Sequence, residues 1–333
     1  MRTKTLPVLM ATAMALPCIA QAEPTVYGSI RIAMVDADNG SDLEMRDEVS
    51  RIGIKGNVDL GIEGTKGFYR FEIRLRADTG EFGGESEKNA RLSYIGAKGK
   101  WGKAQIGRMW MTHSLWTNMI ADGGFHSPFF FGGNNVTFRM PKAVTYISPK
   151  YQGFQVAATS INGGSMGRIG ETLDNANASG NHEDIDARSF TARYMNGGLT
   201  LGAAHTSTSI DELEGDYEIN TLAAQYKVDG FKFQALMTDE ENKTGLGRLE
   251  EYSSNILAVQ YQMAGGTGFR VKYDDQEYNG FDSSAIMYGV SHKMGKGQVW
   301  AEYADVDVEA PNQSTKYGIY PWDFLNVGYR IDF

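Results

Sequence analysis

The strongest constraint on this chain is an alternation of apolar and polar side chains that runs as far as Phe333. In DFLNVGYRIDF, Leu325, Val327, Tyr329, Ile331 and Phe333 fall on one side of an extended backbone, with Asn326, Gly328, Arg330 and Asp332 on the other. A period of two is what a strand shows when its faces meet different surroundings. Chain ends ordinarily fray unless something ties them down, so the final strand is expected to be paired to its last residue. The period recurs in YRFEIRLRAD, where Tyr69, Phe71, Ile73, Leu75 and Ala77 oppose Arg70, Glu72, Arg74, Arg76 and Asp78, and again in FTARY, TLAAQYKVD and FRVKYD.

Read along the chain, this period predicts sixteen strands, at 25–37, 50–60, 68–78, 89–98, 103–110, 141–149, 154–162, 186–196, 199–209, 219–229, 231–240, 253–264, 267–278, 284–294, 297–308 and 323–333. Their connections alternate between short (KGKWGK, KYQG, NGG, DG, AGGT, GKG) and long (38–49, 79–88, 111–140, 163–185, 210–218, 241–252, 279–283, 309–322). A soluble β-sandwich also alternates its side chains, but has no reason to collect its tight turns at one end. An outer-membrane barrel does, and closure satisfies every backbone N–H and C=O in lipid, which an open sheet cannot. The expected fold is all-β: a transmembrane antiparallel β-barrel of about 16 strands.

Forty glycines, 17 tyrosines and 16 phenylalanines against eight prolines suit many strands and turns. No window beyond residue 22 approaches the ~20 apolar residues of a membrane helix, and the helical runs of a soluble enzyme are missing. Residues 1–22 read as a secretory leader: Arg2 and Lys4, an apolar stretch broken by proline, then Ala20-Gln21-Ala22 as a cleavage site. Cleavage after Ala22 leaves 23–333 as one barrel domain. Cys18 offers a lipoprotein reading, which Pro17 before it disfavours. Asp and Glu outnumber Lys and Arg by 41 to 32, which argues against nucleic acid as a partner. The acids gather in long connections: Asp36, Asp38, Asp42, Glu44, Asp47 and Glu48; Asp211, Glu212, Glu214, Asp216 and Glu218; Asp239, Glu240, Glu241, Glu250 and Glu251. A solvated rim accounts for them; bridging by divalent cations to anionic surface lipid is the functional alternative, since hard cations favour clustered carboxylates.

VYGSIRIAM, SRIGIKGNVDLG, YIGAKGKWGKAQIGR (ending on Gly107 and Arg108), AVTYISPKYQGF and the terminal Tyr329, Ile331 and Phe333 follow one another in the order found in the trimeric general-diffusion porins of Gram-negative outer membranes, which the whole of 23–333 resembles. The resemblance implies a water-filled, multi-pass outer-membrane channel for passive diffusion of small hydrophilic solutes and ions, without a cofactor. It also implies a homotrimer, with contacts near the first and last strands and TGEFGGESEK (79–88) reaching over a neighbour's rim. Outer-membrane lipid and lipopolysaccharide are the expected surroundings. Phe333, with its alternating partners Ile331 and Tyr329, resembles the signal read by the outer-membrane insertion machinery.

The longest connection, 111–140, carries Trp116, Met119, Ile120, Phe125 and Phe129 to Phe131, too apolar to extend into water. Loops of this length are functional or disordered; a surface loop covering lipid contacts is one reading. The resemblance implies the other, a loop folded into the lumen that narrows the pore. It further implies a basic cluster at Arg51, Arg108 and Arg139, with Arg31 standing one step from the position lost at Ser29, Arg74 nearby, and Asp122 as the loop's acid. The second expected acid falls near Thr117 or Asn118, which carry no charge. Counting from Ile106, Arg108 falls on the lipid side, at a cost of ~2–4 kcal/mol at the midplane; a β-bulge at Gly107 turns it inward. Each arginine could equally be ion-paired with a lumenal acid such as Glu72 or Asp59.

No H-E-x-x-H, phosphate loop or G-x-S-x-G appears. DADNGSD is a weak match to a calcium loop, with Gly40 one place early. His113 and His126 lack the three or four ligands of a stable metal site. Asp305, Asp307 and Glu309 read as vestibule charge. A weakly selective, anion-leaning diffusion channel, a substrate-specific channel and a barrel adhesin or enzyme remain, and no nucleophile with its base supports the last.

Overall fold

The computed structural model describes residues 24–38, 40, 42–83, 90–122, 124–126, 138–164, 185–210, 216–243, 251–309 and 322–333. The expected leader with Cys18, Phe129 to Phe131, Asp211, Glu212, Glu214, Glu250 and 84–89 of the expected inter-subunit loop lie outside them. The strands are β1 (Thr25–Ala37), β2 (Glu44–Asp47), β3 (Arg51–Asp59), β4 (Thr65–Arg74), β5 (Leu92–Gly99), β6 (Gly102–Trp110), β7 (Arg139–Ile147), β8 (Phe154–Gly164), β9 (Ile185–Asn196), β10 (Leu199–Ile210), β11 (Tyr217–Val228), β12 (Phe231–Asn242), β13 (Glu251–Gln262), β14 (Thr267–Tyr278), β15 (Phe281–Met294), β16 (Gly297–Val308) and β17 (Phe324–Asp332). A short helix, α1 (Thr112–Trp116), and a 3-10 turn (Asn118–Ile120) lie between β6 and β7.

Both β2 and β3 pair with β1, Ile32 lying opposite Asp47 and Ser29 opposite Arg51. They are two halves of one strand, interrupted at Glu48–Ser50, where Val49 takes a left-handed φ of 64°. Asp47 holds the break, accepting from the backbone N–H groups of Val49 (3.1 Å), Ser50 (3.1 Å) and Ala77 (3.2 Å). Counted this way, the sheet is a closed barrel of 16 antiparallel strands. Closure joins β17 to β1, with Ile30 opposite Ile331. Phe333 completes it, exchanging backbone hydrogen bonds with Gly28 at 3.0 and 3.1 Å, while its ring occupies the space a Cβ would need at Gly28.

The period of two placed 25–37, 267–278 and 297–308 as they occur. It missed β2 and set β4 late, at 68–78, because Lys66 and Phe68 share a polar-side face where an aromatic breaks the pattern. The connection expected at 279–283 is instead a two-residue turn: Tyr278 pairs with Phe281, and Asn279 (φ 47°) and Gly280 (φ 79°) supply the two left-handed residues of a tight hairpin.

Burial is inverted relative to a soluble sheet. Along β14, Phe269, Val271 and Tyr273 are exposed while Arg270, Lys272, Asp274 and Gln276 are buried. The outer face is therefore apolar and the lumen polar, the arrangement a bilayer requires. Beside the short turns the outer face carries rings in contact, Phe154 with Tyr194 and Phe231 with Tyr261, each pair at 4.5 Å, as in the aromatic girdle of a membrane barrel. Asp305 and Asp307 share the exposed face of Val299 and Tyr303 on β16; they lie outside the barrel wall, so the vestibule reading of these two is corrected. Tyr303 itself donates to Asp323 at 3.0 Å.

Candidate pore constriction

The segment after β6 leaves the wall at a neck closed by Met111 N–H donating to the Phe138 carbonyl at 3.1 Å. From there α1 crosses the inner faces of β8, β9 and β10. Thr112 and Thr191 hydroxyls meet at 3.2 Å, and His113 is held between Thr206 (2.7 Å) and Thr221 (2.9 Å). Trp116 is buried under the Arg193 guanidinium, 4.2 Å from its ring centre. The Trp116 carbonyl lies where any Cβ at Gly202 would sit. Further on, Ile120 and Ala121 pack on Ala223, Leu236 and Ile256. Gln234 donates to the Ile120 carbonyl, and Arg270 to that of Gly124. His126 meets Glu302 Oε1 through its backbone N–H (2.7 Å) and Nδ1 (3.0 Å), its ring stacked on Trp300 at 4.4 Å. Residues 112–122 and 124–126 thus lie inside the barrel against walls from β8 to β16, and both histidines are engaged with wall side chains rather than with each other.

Burial pushes the His113 imidazole down to about 3. The docked form refuses a proton that a freed imidazole takes up below about 6.5. Docking is therefore strongest above that pH and weakens as pH falls toward the depressed value. Single-channel traces are expected to gain extra transitions between pH 6.5 and 4, and His113→Gln to remove that pH dependence. Wild-type traces unchanged across the interval would count against it.

The sector β17–β1–β3–β4 is lined by arginines. Asp332, Ser29, Arg51 and Arg74 occupy one register line, and Arg330 stands opposite Arg31 on the next. Arg31 Nε donates to Ser29 Oγ at 2.9 Å. Arg31, Arg51, Arg91 and Arg330 are near enough to feel one another's charge. Glu72 is held by Arg91 Nε (3.0 Å), Arg70 Nη2 (3.0 Å) and the Tyr27 hydroxyl (2.8 Å). Arg74 lies 3.5 Å from Asp47, and Asp59 accepts from Gly61 N–H at 2.9 Å. The acid expected to partner an arginine does so, but with Arg70 and Arg91.

The other expected members stand elsewhere. The β6–β7 register shifts between Gly107 and Met109, with Gly107 at φ 129° and Lys142 opposite at φ 50°, so the wall is irregular at Arg108, whose Nε is shielded from solvent. Arg139 stacks over Trp110 and Phe138, 5.4 Å from each ring centre. Asp122 accepts from Gly124 N–H at 2.8 Å and sits near Lys232, Lys272 and Arg270; burial raises its pKa. It belongs to the docked side of the lumen. Sequence reading missed Arg91, Arg330, Arg270 and Glu302. The polar face of the last strand already carried Arg330, whereas Arg91 precedes its strand and has no periodic signal.

An apolar exterior, a charged lumen and a segment folded within it define an outer-membrane channel. A family model of the Gram-negative porin matches residues 8–314, and the chain belongs to that family. The major outer membrane protein P.IB of Neisseria meningitidis is 24% identical over 286 residues, covering 79% of this chain and 78% of its relative. The chitoporin of Vibrio furnissii is 27% identical over 290 residues, 74% of each. Among solved structures, an anion-selective porin from Comamonas acidovorans matches with TM-score 0.71 at 18% identity, over 94% of this chain and 100% of the other. Salmonella typhi OmpF in complex with daunomycin matches with TM-score 0.76 at 19% identity, over 94% and 98%. The chain is a porin of the outer membrane, a channel and not a catalyst.

Proposed function

We propose that this porin passes small hydrophilic solutes and ions by passive diffusion through a zone narrowed by 111–140, with weak or anion-leaning selectivity. The observation that carries this reading is the basic group Arg31, Arg51, Arg91 and Arg330, which stands off the strands β8 to β10 that α1 crosses. Arg74 belongs to the same band with its charge partly met by Asp47; Arg108 and Arg139 enter at the neck of the loop, and Asp122 on the opposite wall. Acids at the outer rim count for less, since at ~0.1 M salt the Debye length is ~10 Å.

A homotrimer, lipopolysaccharide contacts bridged by divalent cations, and recognition of Tyr329, Ile331 and Phe333 by the insertion machinery complete the reading, together with a leader cleaved after Ala22. The exposed Phe82 beside 84–89 supports a loop that reaches a neighbouring subunit. A substrate-specific channel is the second reading, favoured by the likeness to a chitoporin and by lumenal rings such as Trp300.

The test is the reversal potential in a salt gradient. A charge ~6 Å from the ion in a water-like medium is worth ~0.7 kcal/mol, about threefold in permeability ratio. Arg31→Ala with Arg51→Ala is therefore expected to move the ratio toward cations by roughly that factor or more. Strong cation preference of the wild type at high salt, or an unmoved potential in the variant, would reject the assignment.

A further inference from the structure

Below the arginine band, toward the short turns, the inner face carries a second basic feature. Lys66, Lys98 and Lys103 occupy one register line across β4, β5 and β6. Neighbouring strands lie ~4.8 Å apart, so three lysines stand side by side in register, and like charges directly opposite one another destabilise a sheet. Phe68, on the same face of β4 as Lys66, holds two of them: Lys103 Nζ lies 4.7 Å and Lys98 Nζ 5.7 Å from its ring centre. Tyr94 meets Phe68 edge-on at 6.3 Å and packs against the lumenal cluster of Met109 and Met140, which fixes this face as lumenal. One step up, Lys55 stands opposite Arg70, with Lys55 Nζ 5.0 Å from the Tyr27 ring centre.

The acids of this region are few. Asp59 is the register partner of Lys66 and Glu63 stands in the turn between β3 and β4. Neither makes an ion pair with these lysines among the described residues, and Glu72 is taken up by Arg70 and Arg91. Elsewhere on the inner face charges are met: Lys272 lies 3.4 Å from Asp274, and Arg270 3.6 Å from Glu302. The Lys66, Lys98 and Lys103 line thus differs from these places in having no ion pair with an acid among the described residues.

We propose that Lys66, Lys98 and Lys103, arranged around Phe68, form a binding site at the turn-side mouth for multivalent anions: solutes carrying two or more linked phosphate groups. Lysines in a row can each give a charge-assisted hydrogen bond to a different oxygen of such a solute. The aromatic ring limits the freedom of two of the lysines before the anion arrives, which lowers the ordering cost. In membrane barrels the short turns face the periplasm, so the site opens to that compartment. It rests on the chain being a channel and not on the sign of selectivity at the narrow zone.

The experiment is sided block of single channels by inorganic tripolyphosphate. Lys296→Cys, in the turn between β15 and β16, labelled by an impermeant thiol reagent from one chamber, reports which way each channel faces. Block is expected at about tenfold lower concentration from the turn side, a difference of about 1.4 kcal/mol. Lys98→Gln should weaken it, and Lys66→Gln with Lys103→Gln should abolish the sidedness while the reversal potential in simple salt stays near the wild-type value. Heat-modifiable migration shows that each variant is folded. Equal block from both sides, or sidedness that survives in every lysine variant, would overturn the site. A shifted simple-salt reversal potential in the lysine variants would place these groups in the narrow zone and overturn it equally. The Arg31 and Arg51 variant is expected to keep its sided block, which separates the two proposals.

Discussion

Deletion of Phe333 is expected to reduce folded, heat-modifiable protein in the outer membrane far more than it alters conduction in whatever is assembled. The residue supplies two backbone hydrogen bonds to Gly28, at about 1 kcal/mol each. Its half-exposed ring covers Gly28 and adds roughly another 1 kcal/mol. Losing about 3 kcal/mol at the seam corresponds to about a hundredfold in the ratio of closed to open barrel at equilibrium. The open form also presents unpaired edges that a bilayer does not tolerate. Phe333→Tyr, which keeps ring and backbone, should assemble near the wild-type level. Normal amounts of heat-modifiable barrel from the deletion would overturn the assignment of Phe333 to assembly.

The second large effect is expected at a residue that carries no charge of its own. Gly202 lies on the inner face of β10, where the Trp116 carbonyl occupies the space of a side chain. Gly202→Val cannot be accommodated without moving α1, and overpacking of this kind costs about 1–3 kcal/mol. The segment is fastened by individual hydrogen bonds of about 1 kcal/mol, so the strain is of the size needed to release its first half. Unitary conductance and the size limit for neutral polymers should both rise, selectivity should fall, and the barrel should remain heat-modifiable. An unchanged conductance and size limit would mean that the segment does not set the bore.

The barrel was legible because lipid and water impose opposite demands on alternate residues, and that demand is written locally. It faded where packing within the lumen took over. Phe68 belongs to the inner face because its ring lies against Lys98 and Lys103, a reason that no period records, and β4 was set late as a result. The break between β2 and β3 depends on Asp47 capping three backbone N–H groups, one of them at Ala77, a contact between distant parts of the chain. Of the charged groups, Arg31, Arg51 and Arg74 sit on regular strands, where alternation alone sets the face each occupies. Asp122 stands on the segment itself, whereas its neighbours Lys232, Arg270 and Lys272 come from strands more than a hundred residues downstream. The apolar character of 111–126 announced that it would be covered; the path it takes follows from individual partners such as Thr206, Gln234 and Glu302.

That path loads one flank of the inner wall with packing contacts. With α1, the 3-10 turn and residues 124–126 packed on β8 to β16, the two sides of the inner wall become unequal targets for mutation. Changes at Thr206, Gly202 or Leu236 act as changes in a buried core, felt through misfolding or loosening. Changes at Arg31, Arg51 or Lys98 are expected to act on traffic and to cost the fold little. Selection for altered uptake, as under exposure to a toxic solute, should therefore enrich substitutions on one flank of the barrel. Deep mutational scanning would then reveal a permissive crescent of lumenal positions facing an intolerant one.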